Sequence, residues 1–273
     1  MTYTINVKGR LLNVGEPLVM GIMNVTPDSF YANSRQQTAE AIAERCNQMV
    51  SEGATILDIG GCSTRPGAEV ASQSEEMQRL RSALDVVRCE LPWSVLSVDT
   101  FRPDVARMAV EEFGADIVND VSGGTEEMFR MVTRLRVPYI LTSTAGTLRD
   151  MLLDFARKVQ QLRDLGQSDI ILDPGFGFGK TLQQNFLLLS ELDKLRVMEL
   201  PVLVGVSRKS MIQRSLGCTA DESLNGTTIL NTIALTKGAT ILRVHDVRQA
   251  VECVKLFNTM KHPTIVEGGG ESC

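Results

Sequence analysis

Short runs of apolar residues alternate with segments of helical periodicity along almost the whole chain. Most of these runs are continuously apolar, which is typical of parallel strands buried on both faces. Eight strands that are each followed by a helix favour an α/β fold of the (β/α)8 TIM-barrel type. A doubly wound open sheet is the alternative, because alternation alone does not prove closure. The predicted strands are Leu18–Met23, Thr55–Ile59, Val95–Val98, Ile117–Val118, Tyr139–Leu141, Ile170–Leu172, Val202–Val206 and Ile241–Val244.

Two of the helices can be placed by the residues at their ends. Apolar residues recur at helical spacing between Pro103 and Phe113, where Pro103 suits the first turn and Gly114 the end of the helix. The last helix is predicted to begin at Asp246, a residue type that often caps a helix N-terminus.

The residues before the first barrel strand predict a β-hairpin, which we expect to cover the bottom of the barrel. The hairpin occupies residues 1–16, with strands Thr4–Val7 and Leu11–Val14 and with Lys8-Gly9 at the turn. No linker-like segment divides the chain, so one domain of residues 1–273 is the simplest interpretation. The glycine-rich end, residues 263–273, is predicted to be a disordered tail.

Composition narrows the possible functions. The 273 residues are 43% apolar and 22% charged, which supports a folded core. The net charge of −5 and the lack of a basic run argue against a nucleic-acid partner. The sequence shows neither a signal peptide nor an apolar run of membrane length, so we expect a soluble cytoplasmic protein with no membrane partner. Two histidines are too few for a multi-histidine metal site, and the six cysteines form no C-x-x-C pair.

Polar residues cluster directly after the predicted strands, at their C-terminal ends. In a barrel these positions converge on the mouth that carries the active site. Asp99 and Asp173 are strong candidates, because a carboxylate that ends an apolar strand is costly to bury without a partner or a ligand. The other polar residues at these positions are Asn24, Asp58, Ser63, Thr64, Arg65, Asn119, Asp120, Ser207, Arg208, Lys209, Ser210, Arg243, His245 and Asp246.

Several of these residues also have a purely structural interpretation. Asp58, Asp120 and Asp246 can equally cap the following helix or fix a loop. A lone lysine is usually solvated. Lys209, however, follows an apolar strand within a loop of small residues, which favours a functional role. Arg243 and His245 point the same way if the strand pleat continues, and such a pair suits an anion.

The segment Pro174–Thr181 reads PGFGFGKT and invites two motif assignments that it does not meet. Pro174 replaces the first glycine of a phosphate-binding loop, and the glycine spacing departs from the dinucleotide fingerprint. We expect the glycines to let the backbone pass close to a flat ligand, with Phe176 or Phe178 beside it. A plain tight turn is the alternative.

Seven motifs resemble those of the dihydropteroate synthase family of pterin-binding barrels. They run in order from residue 20 to residue 247 and read MGIMNVTPDSF, DIGGCSTRPGA, SVDTFRPDVA, DIVNDVSGG, ILDPGFGFGK, VLVGVSRKS and RVHDV. The resemblance implies a homodimeric transferase of folate biosynthesis and a target of sulfonamides. Such an enzyme condenses p-aminobenzoate with 6-hydroxymethyl-7,8-dihydropterin diphosphate to 7,8-dihydropteroate and pyrophosphate. The resemblance also implies a dissociative displacement through a pterin cation.

The resemblance also implies roles for individual residues and Mg²⁺ as the cofactor. Asp99, Lys209, Arg243 and His245 would be the catalytic residues, and Asn24 would bind the metal ion. The pterin would be bound by Asp99, Asn119, Asp173 and Lys209, the diphosphate by Asn24, Arg65, Arg243 and His245, and p-aminobenzoate by Thr64, Pro66, Phe178 and Ser210.

Two departures from the family pattern bear directly on the predicted site. Thr142-Ser143-Thr144-Ala145-Gly146 stands where the family normally has M-H-M-Q-G, so Thr144 replaces a methionine that packs on the pterin face. Cys62 stands where glutamate is common. Two other functions remain open, a pterin-dependent methyltransferase and a pterin-binding paralogue without catalysis. The segments STRPGA and SRKS favour the synthase over the methyltransferase.

Overall fold

The computed structural model describes residues 3–25, 35–62 and 70–263. Within these residues an antiparallel hairpin precedes eight parallel strands that form a nearly closed barrel. The hairpin strands are β1 (Thr4–Val7) and β2 (Arg10–Asn13), and the barrel strands are β3 (Leu18–Asn24), β4 (Ile56–Gly60), β5 (Val95–Asp99), β6 (Ile117–Asp120), β7 (Tyr139–Thr142), β8 (Ile170–Asp173), β9 (Leu203–Val204) and β10 (Ile241–Val244).

The order of the strands distinguishes a barrel from an open sheet. Neighbouring strands follow chain order from β3 to β8, and β10 lies between β3 and β9. A parallel bridge between Leu172 and Val202 then joins β8 to the residues that precede β9. This bridge brings the two edges of the sheet together, so the barrel prediction is confirmed and the doubly wound alternative is wrong. β9 is shorter than the predicted Val202–Val206, because it pairs with β10 at two residues only, Leu203 with Ile241 and Val204 with Leu242.

The helices described by the structure lie between the strands and bury their apolar faces against the outside of the barrel. Helix α3 has the predicted bounds, and Gly114 ends it in the left-handed conformation at φ +65°. The helices are α1 (Arg35–Ser51), α2 (Gln73–Glu90), α3 (Pro103–Phe113), α4 (Glu126–Leu135), α5 (Leu148–Asp164), α6 (Leu182–Ser190), α7 (Ser210–Leu216), α8 (Leu224–Thr236) and α9 (Val247–Lys261).

The hairpin covers the bottom of the barrel, as predicted. Lys8 and Gly9 both have positive φ, which fits a two-residue turn between β1 and β2. Ile5, Val7 and Val14 pack onto one residue from most barrel strands and form a second, separate apolar core. The barrel residues of this core, here named the apolar layer, are Met20, Ile56, Ile117, Ile140, Ile171, Leu203 and Ile241.

Strand periodicity places a polar layer directly above the apolar layer. Residues two positions apart in a strand face the same side of the sheet. The next inward positions toward the C-terminal mouth are therefore polar on six strands. These residues, here named the polar layer, are Asp58, Ser97, Asn119, Thr142, Asp173 and Arg243.

Two features of the chain bear on the remaining predictions. No helix in the described ranges combines the length and the apolar character needed to cross a membrane. The predicted tail lies, apart from Pro263, outside the described residues.

Candidate active site

Arg243 lies at the centre of the polar layer and bridges two buried carboxylates. Its Nε donates to Asp58 Oδ2 at 2.7 Å and its Nη2 to Asp99 Oδ2 at 2.5 Å. Asn119 Nδ2 donates to the same Asp58 oxygen at 3.0 Å. Burial alone would lower the pKa of the Arg243 guanidinium, but Asp58 and Asp99 raise it above its usual value. Arg243 therefore stays charged and ties strands β4, β5 and β10 together.

Asp58 is a site residue that the role assignments missed. Its side chain is fully buried, and it pairs with Arg243 rather than capping α2 or fixing a loop. The signal was present in the sequence, because Asp58 lies two positions after the inward-facing Ile56.

Asp99 is held in an environment that favours its protonated form. Burial raises the pKa of the Asp99 carboxyl to about 7, although the Arg243 charge acts to lower it and Asp58 adds to the rise. The energetic reason is that a buried carboxylate loses its hydration, and a second carboxylate nearby repels its charge. The Asp99 carboxyl consequently changes its charge as the pH passes through neutrality.

Asp173 and Lys209 influence one another across the mouth of the barrel. Burial raises the pKa of Asp173, and the charge of Lys209 opposes that shift. Burial lowers the pKa of Lys209 to about 8, and Asp173 opposes that shift in turn. The Lys209 ammonium donates to the Phe176 carbonyl and lies 4.5 Å from the centroid of the Phe178 ring. The loop after β9 thus contacts the loop after β8, as the sequence predicted for a shared site.

The glycine-rich loop after β8 follows the backbone of the neighbouring loop. Gly175 has φ +66°, and a Cβ there would lie 2.2 Å from the Ser143 carbonyl oxygen. Only glycine fits this position, because both the conformation and the close approach exclude a side chain. Phe176 is fully buried whereas Phe178 is partly exposed, so Phe178 is the ring that faces the mouth.

Lys180 holds this loop in place through hydrogen bonds to main-chain carbonyls. The sequence did not predict this role. Its ammonium donates to Ser143 O at 3.0 Å, Gly175 O at 2.9 Å and Phe178 O at 3.4 Å. Burial lowers the pKa of Lys180 to about 8, while Asp173 acts to raise it. Periodicity gives no signal for such a role, because the partners are main-chain atoms of two loops.

His245 follows β10 and lies beside Ser207, which follows β9. Ser207 Oγ is 3.1 Å from His245 Nδ1 and accepts a hydrogen bond from the His245 backbone N at 3.2 Å. Arg45 Nη2 of α1 donates to the His245 carbonyl at 2.6 Å. His245 is therefore held at the rim of the barrel by the loop after β9 and by helix α1.

The remaining aspartates differ in role. Asp120 accepts hydrogen bonds from Ser122 N at 2.8 Å and from Tyr139 Oη at 2.8 Å, which confirms the loop-fixing interpretation. Asp246 does precede α9, but its side chain makes no capping hydrogen bond. The expectation of a side-chain cap is wrong, because the carboxylate is taken up by Arg208.

Asn24 and Ser210 mark two sides of the mouth. Asn24 ends β3 and is half-buried, and Ser210 begins α7 and is exposed. Thr64, Arg65 and Pro66 lie outside the described residues. In the described part of the chain, no group of three or more His, Cys, Asp or Glu side chains could hold a metal ion. The Asn24 amide oxygen suits Mg²⁺ that takes its other ligands from water and a phosphate group.

Four buried polar atoms of the barrel interior have no hydrogen-bond partner among the described residues. They come from four adjacent strands, β4 to β7, and are Asp58 Oδ1, Ser97 Oγ, Asn119 Oδ1 and Thr142 Oγ1. Buried polar groups are normally hydrogen-bonded, so this wall suits a ligand with a hydrogen-bonding edge.

Comparison with known proteins agrees with this geometry. Residues 20–245 match the family model described as pterin binding enzyme. The dihydropteroate synthase of Bacillus subtilis is 37% identical over 270 residues, covering 95% of this chain and 94% of that protein.

Two solved structures of Xanthomonas albilineans dihydropteroate synthase are similar over nearly their whole length. The structure with 4-aminobenzoic acid has a TM-score of 0.87 at 35% identity, covering 96% of this chain and 99% of that chain. The complex with 7,8-dihydropteroate has a TM-score of 0.87 at 32% identity, covering 95% and 99%. The chain therefore belongs to the dihydropteroate synthase family of pterin-binding enzymes.

Proposed function

We propose that the protein is a dihydropteroate synthase, a transferase of folate biosynthesis. It condenses 6-hydroxymethyl-7,8-dihydropterin diphosphate with p-aminobenzoate and releases 7,8-dihydropteroate and pyrophosphate. The observation that carries the proposal is the convergence of Asp99, Asn119, Asp173, Lys209 and Arg243 on one barrel mouth. Relatives that span nearly the whole chain and are named dihydropteroate synthase support the same activity.

The polar layer is suited to a pterin ring. A pterin presents donors and acceptors along one edge, and Asn119 and Asp173 are buried groups able to pair with such an edge. A ligand that lacks the matching groups would leave these side chains unpaired, which is how buried polar sites discriminate. Lys209 would cover the opposite side of the ring and donate from its ammonium.

The reaction divides into departure of diphosphate and attack by the amine. The bond between the pterin methylene carbon and the diphosphate oxygen breaks first, and the bonding electrons leave with the diphosphate. Asp99, when ionised, stabilises the pterin cation that remains. The p-aminobenzoate nitrogen then forms the new C–N bond and loses a proton. Because the cation is a strong electrophile, the weakly basic aniline needs no dedicated strong base.

The diphosphate would be neutralised at the rim of the barrel. Arg243 and His245 would attract its negative charge, and Arg65 would join them from the loop after β4. When bound at Asn24, Mg²⁺ would supply further positive charge to the leaving group. The p-aminobenzoate site would be formed by Thr64, Pro66, Phe178 and Ser210.

We further propose that the protein is a cytoplasmic homodimer whose contact lies on helices α8 and α9. These helices carry four apolar side chains at i,i+4 spacing that are at least 37% exposed, namely Ile229, Ile233, Leu256 and Met260. An apolar surface of this kind is typical of a contact with a second copy. Light scattering should give the mass of a dimer, and Leu256→Asp should give a monomer; a monomeric parent protein would refute the proposal.

One assay tests the activity and its alternatives together. The protein is incubated with the pterin diphosphate, p-aminobenzoate and Mg²⁺, and pyrophosphate release is followed. We expect continuous release that requires both substrates and is inhibited by a sulfonamide competing with p-aminobenzoate. Tight pterin binding without release would instead support a non-catalytic paralogue. Methyl transfer from a methylated pterin would support the methyltransferase.

A further inference from the structure

Arg208 lies between two site residues, Ser207 and Lys209, in an uncommon backbone conformation. Its φ is +53°, in the left-handed region that residues other than glycine rarely adopt. Such a conformation persists only where the surroundings fix it, and it is concentrated at functional sites. The mechanism above gives the Arg208 side chain no role.

Neighbouring helices hold the Arg208 backbone. Its N–H donates to Thr227 Oγ1 of α8 at 3.0 Å. Its carbonyl accepts a hydrogen bond from Gln213 Nε2 of α7 at 2.8 Å. The Arg208 backbone is thus fixed on both sides of its Cα. This fixes the direction in which the chain enters from Ser207 and continues to Lys209.

The guanidinium makes a bidentate pair with Asp246. Its Nε and Nη2 donate to the two Asp246 oxygens at 2.9 and 2.7 Å. A third bond, from Nη1 to Asp221 at 2.9 Å, reaches a side chain that is 97% exposed, whereas the Asp246 side chain is 15% exposed. Because exposed ion pairs contribute little, the Asp246 pair is the important contact.

This ion pair joins the loop after β9 to the loop after β10, beyond the point where the two strands stop pairing. The β9–β10 ladder ends at the pair Val204–Leu242, before either loop reaches the site. Above that point the loops are joined by side chains, through Ser207 to His245 and through Arg208 to Asp246. Arg208 immediately precedes Lys209, and Asp246 immediately follows His245. The ion pair therefore fixes the position of the Lys209 loop relative to the His245 loop.

We propose that Arg208 and Asp246 form a positioning pair that sets the separation between Lys209 and His245. This inference rests on the proposed function, in which Lys209 binds the pterin and His245 the diphosphate. The bond that breaks lies between those two groups, so their relative placement acts on the step in which the diphosphate departs. Small misplacements of groups at a reacting bond reduce rates strongly.

The kinetic test compares the buried contact with the exposed one. Arg208→Met and Asp246→Asn should each lower kcat by about 10- to 100-fold. KM for p-aminobenzoate should change much less. The double variant should be no slower than the worse single variant, because both changes remove one contact. Arg208→Lys should restore part of kcat, and the matched control Asp221→Asn should keep the parent values. Folded variants with a lowered Tm but the kcat of the parent protein would overturn the proposal. They would show that the ion pair only stabilises the fold.

A second measurement does not depend on turnover. The chain has two histidines, so ring NMR signals of His245 can be identified by comparison with His262→Gln. Arg208→Met should move the His245 signals in the direction produced by Ser207→Ala, and Asp221→Asn should leave them in place. Unmoved His245 signals in folded Arg208→Met would overturn the positioning pair. Absence of pyrophosphate release from the parent protein would overturn only the proposed function.

Discussion

Two layers of the barrel interior lie two residues apart along the same strands and differ in polarity. The apolar layer packs Ile56, Ile171 and Ile241 beneath the hairpin. The polar layer places Asp58, Asp173 and Arg243 two positions further along those strands. Identical backbone geometry therefore serves both layers, and only the side chains differ.

The comparison shows how the barrel separates stability from chemistry. The apolar layer gains stability from removing hydrocarbon from water. The polar layer and the charged groups that adjoin it at the mouth cost stability, since burial raises the pKa of Asp173 and of the adjoining Asp99 and lowers the pKa of Lys209. Such groups are retained at functional sites at the expense of stability. Changes in the two layers should thus affect different measurements.

The largest effect is expected from removing charge at the barrel mouth. Lys209→Ala or Asp173→Ala should lower kcat by at least about 100-fold, because each removes a group fixed against the reacting substrate. Thermal unfolding should stay close to that of the parent protein. Lys194→Ala, which removes an exposed lysine, serves as the control. Near-normal turnover in either site variant would refute the pocket assignment.

The matched change in the apolar layer should lower stability and leave kcat unchanged. Ile171 lies on the same strand and the same face as Asp173. Ile171→Ala should lower the free energy of unfolding by about 2–5 kcal/mol, and Ile171→Val by about 0.5–1.5 kcal/mol. The folded fraction should keep its kcat. A large loss of kcat at unchanged stability would show that the layers are not separable in this way.

Activity and stability should also respond to pH in opposite directions. The folded pKa of Asp99, raised by burial to about 7, lies above the unfolded value of about 3.9. Its stabilising contribution is therefore complete below the unfolded pKa and is lost as pH rises through about 7. The ionised form that the proposed mechanism requires appears over the same range, so kcat/KM should rise.

The Asp99→Asn variant supplies the control for this pH dependence. Denaturant titrations between pH 4 and pH 8 should show a flatter stability profile than in the parent protein. An unchanged profile would mean that Asp99 does not titrate in this range.

The smallest effect is expected at the edge of the polar layer. Thr144 stands where the family normally has a methionine on the pterin face, and it is exposed in this structure. A thioether contact with a ring contributes about 0.3–1.5 kcal/mol. Thr144→Met should therefore tighten pterin binding by about 2- to 10-fold, measured by calorimetry. Thr144→Val is the control for size alone, and equal tightening by both variants would contradict the sulfur contact.

The pattern of residues was enough to place most of the barrel and much of the site. The bounds of α3 and the positions of the strands follow from local periodicity and end signals, which depend on neighbouring residues only. Asp99, Asp173 and Lys209 could be predicted to lie at one mouth because polar groups after buried strands meet there. The specific substrates rest on the family resemblance and not on these patterns.

Tertiary structure alone decided which groups became partners. Arg243 pairs with Asp58 across 185 positions of the chain, and Asp246 binds Arg208 in place of capping α9. Lys180 selects carbonyls of two loops, and the Leu172–Val202 bridge closes the ring. The sequence determined which residues are apolar, charged or flexible at each position. Partner choice depends instead on which distant groups share a buried space, where low dielectric makes each pairing energetically decisive.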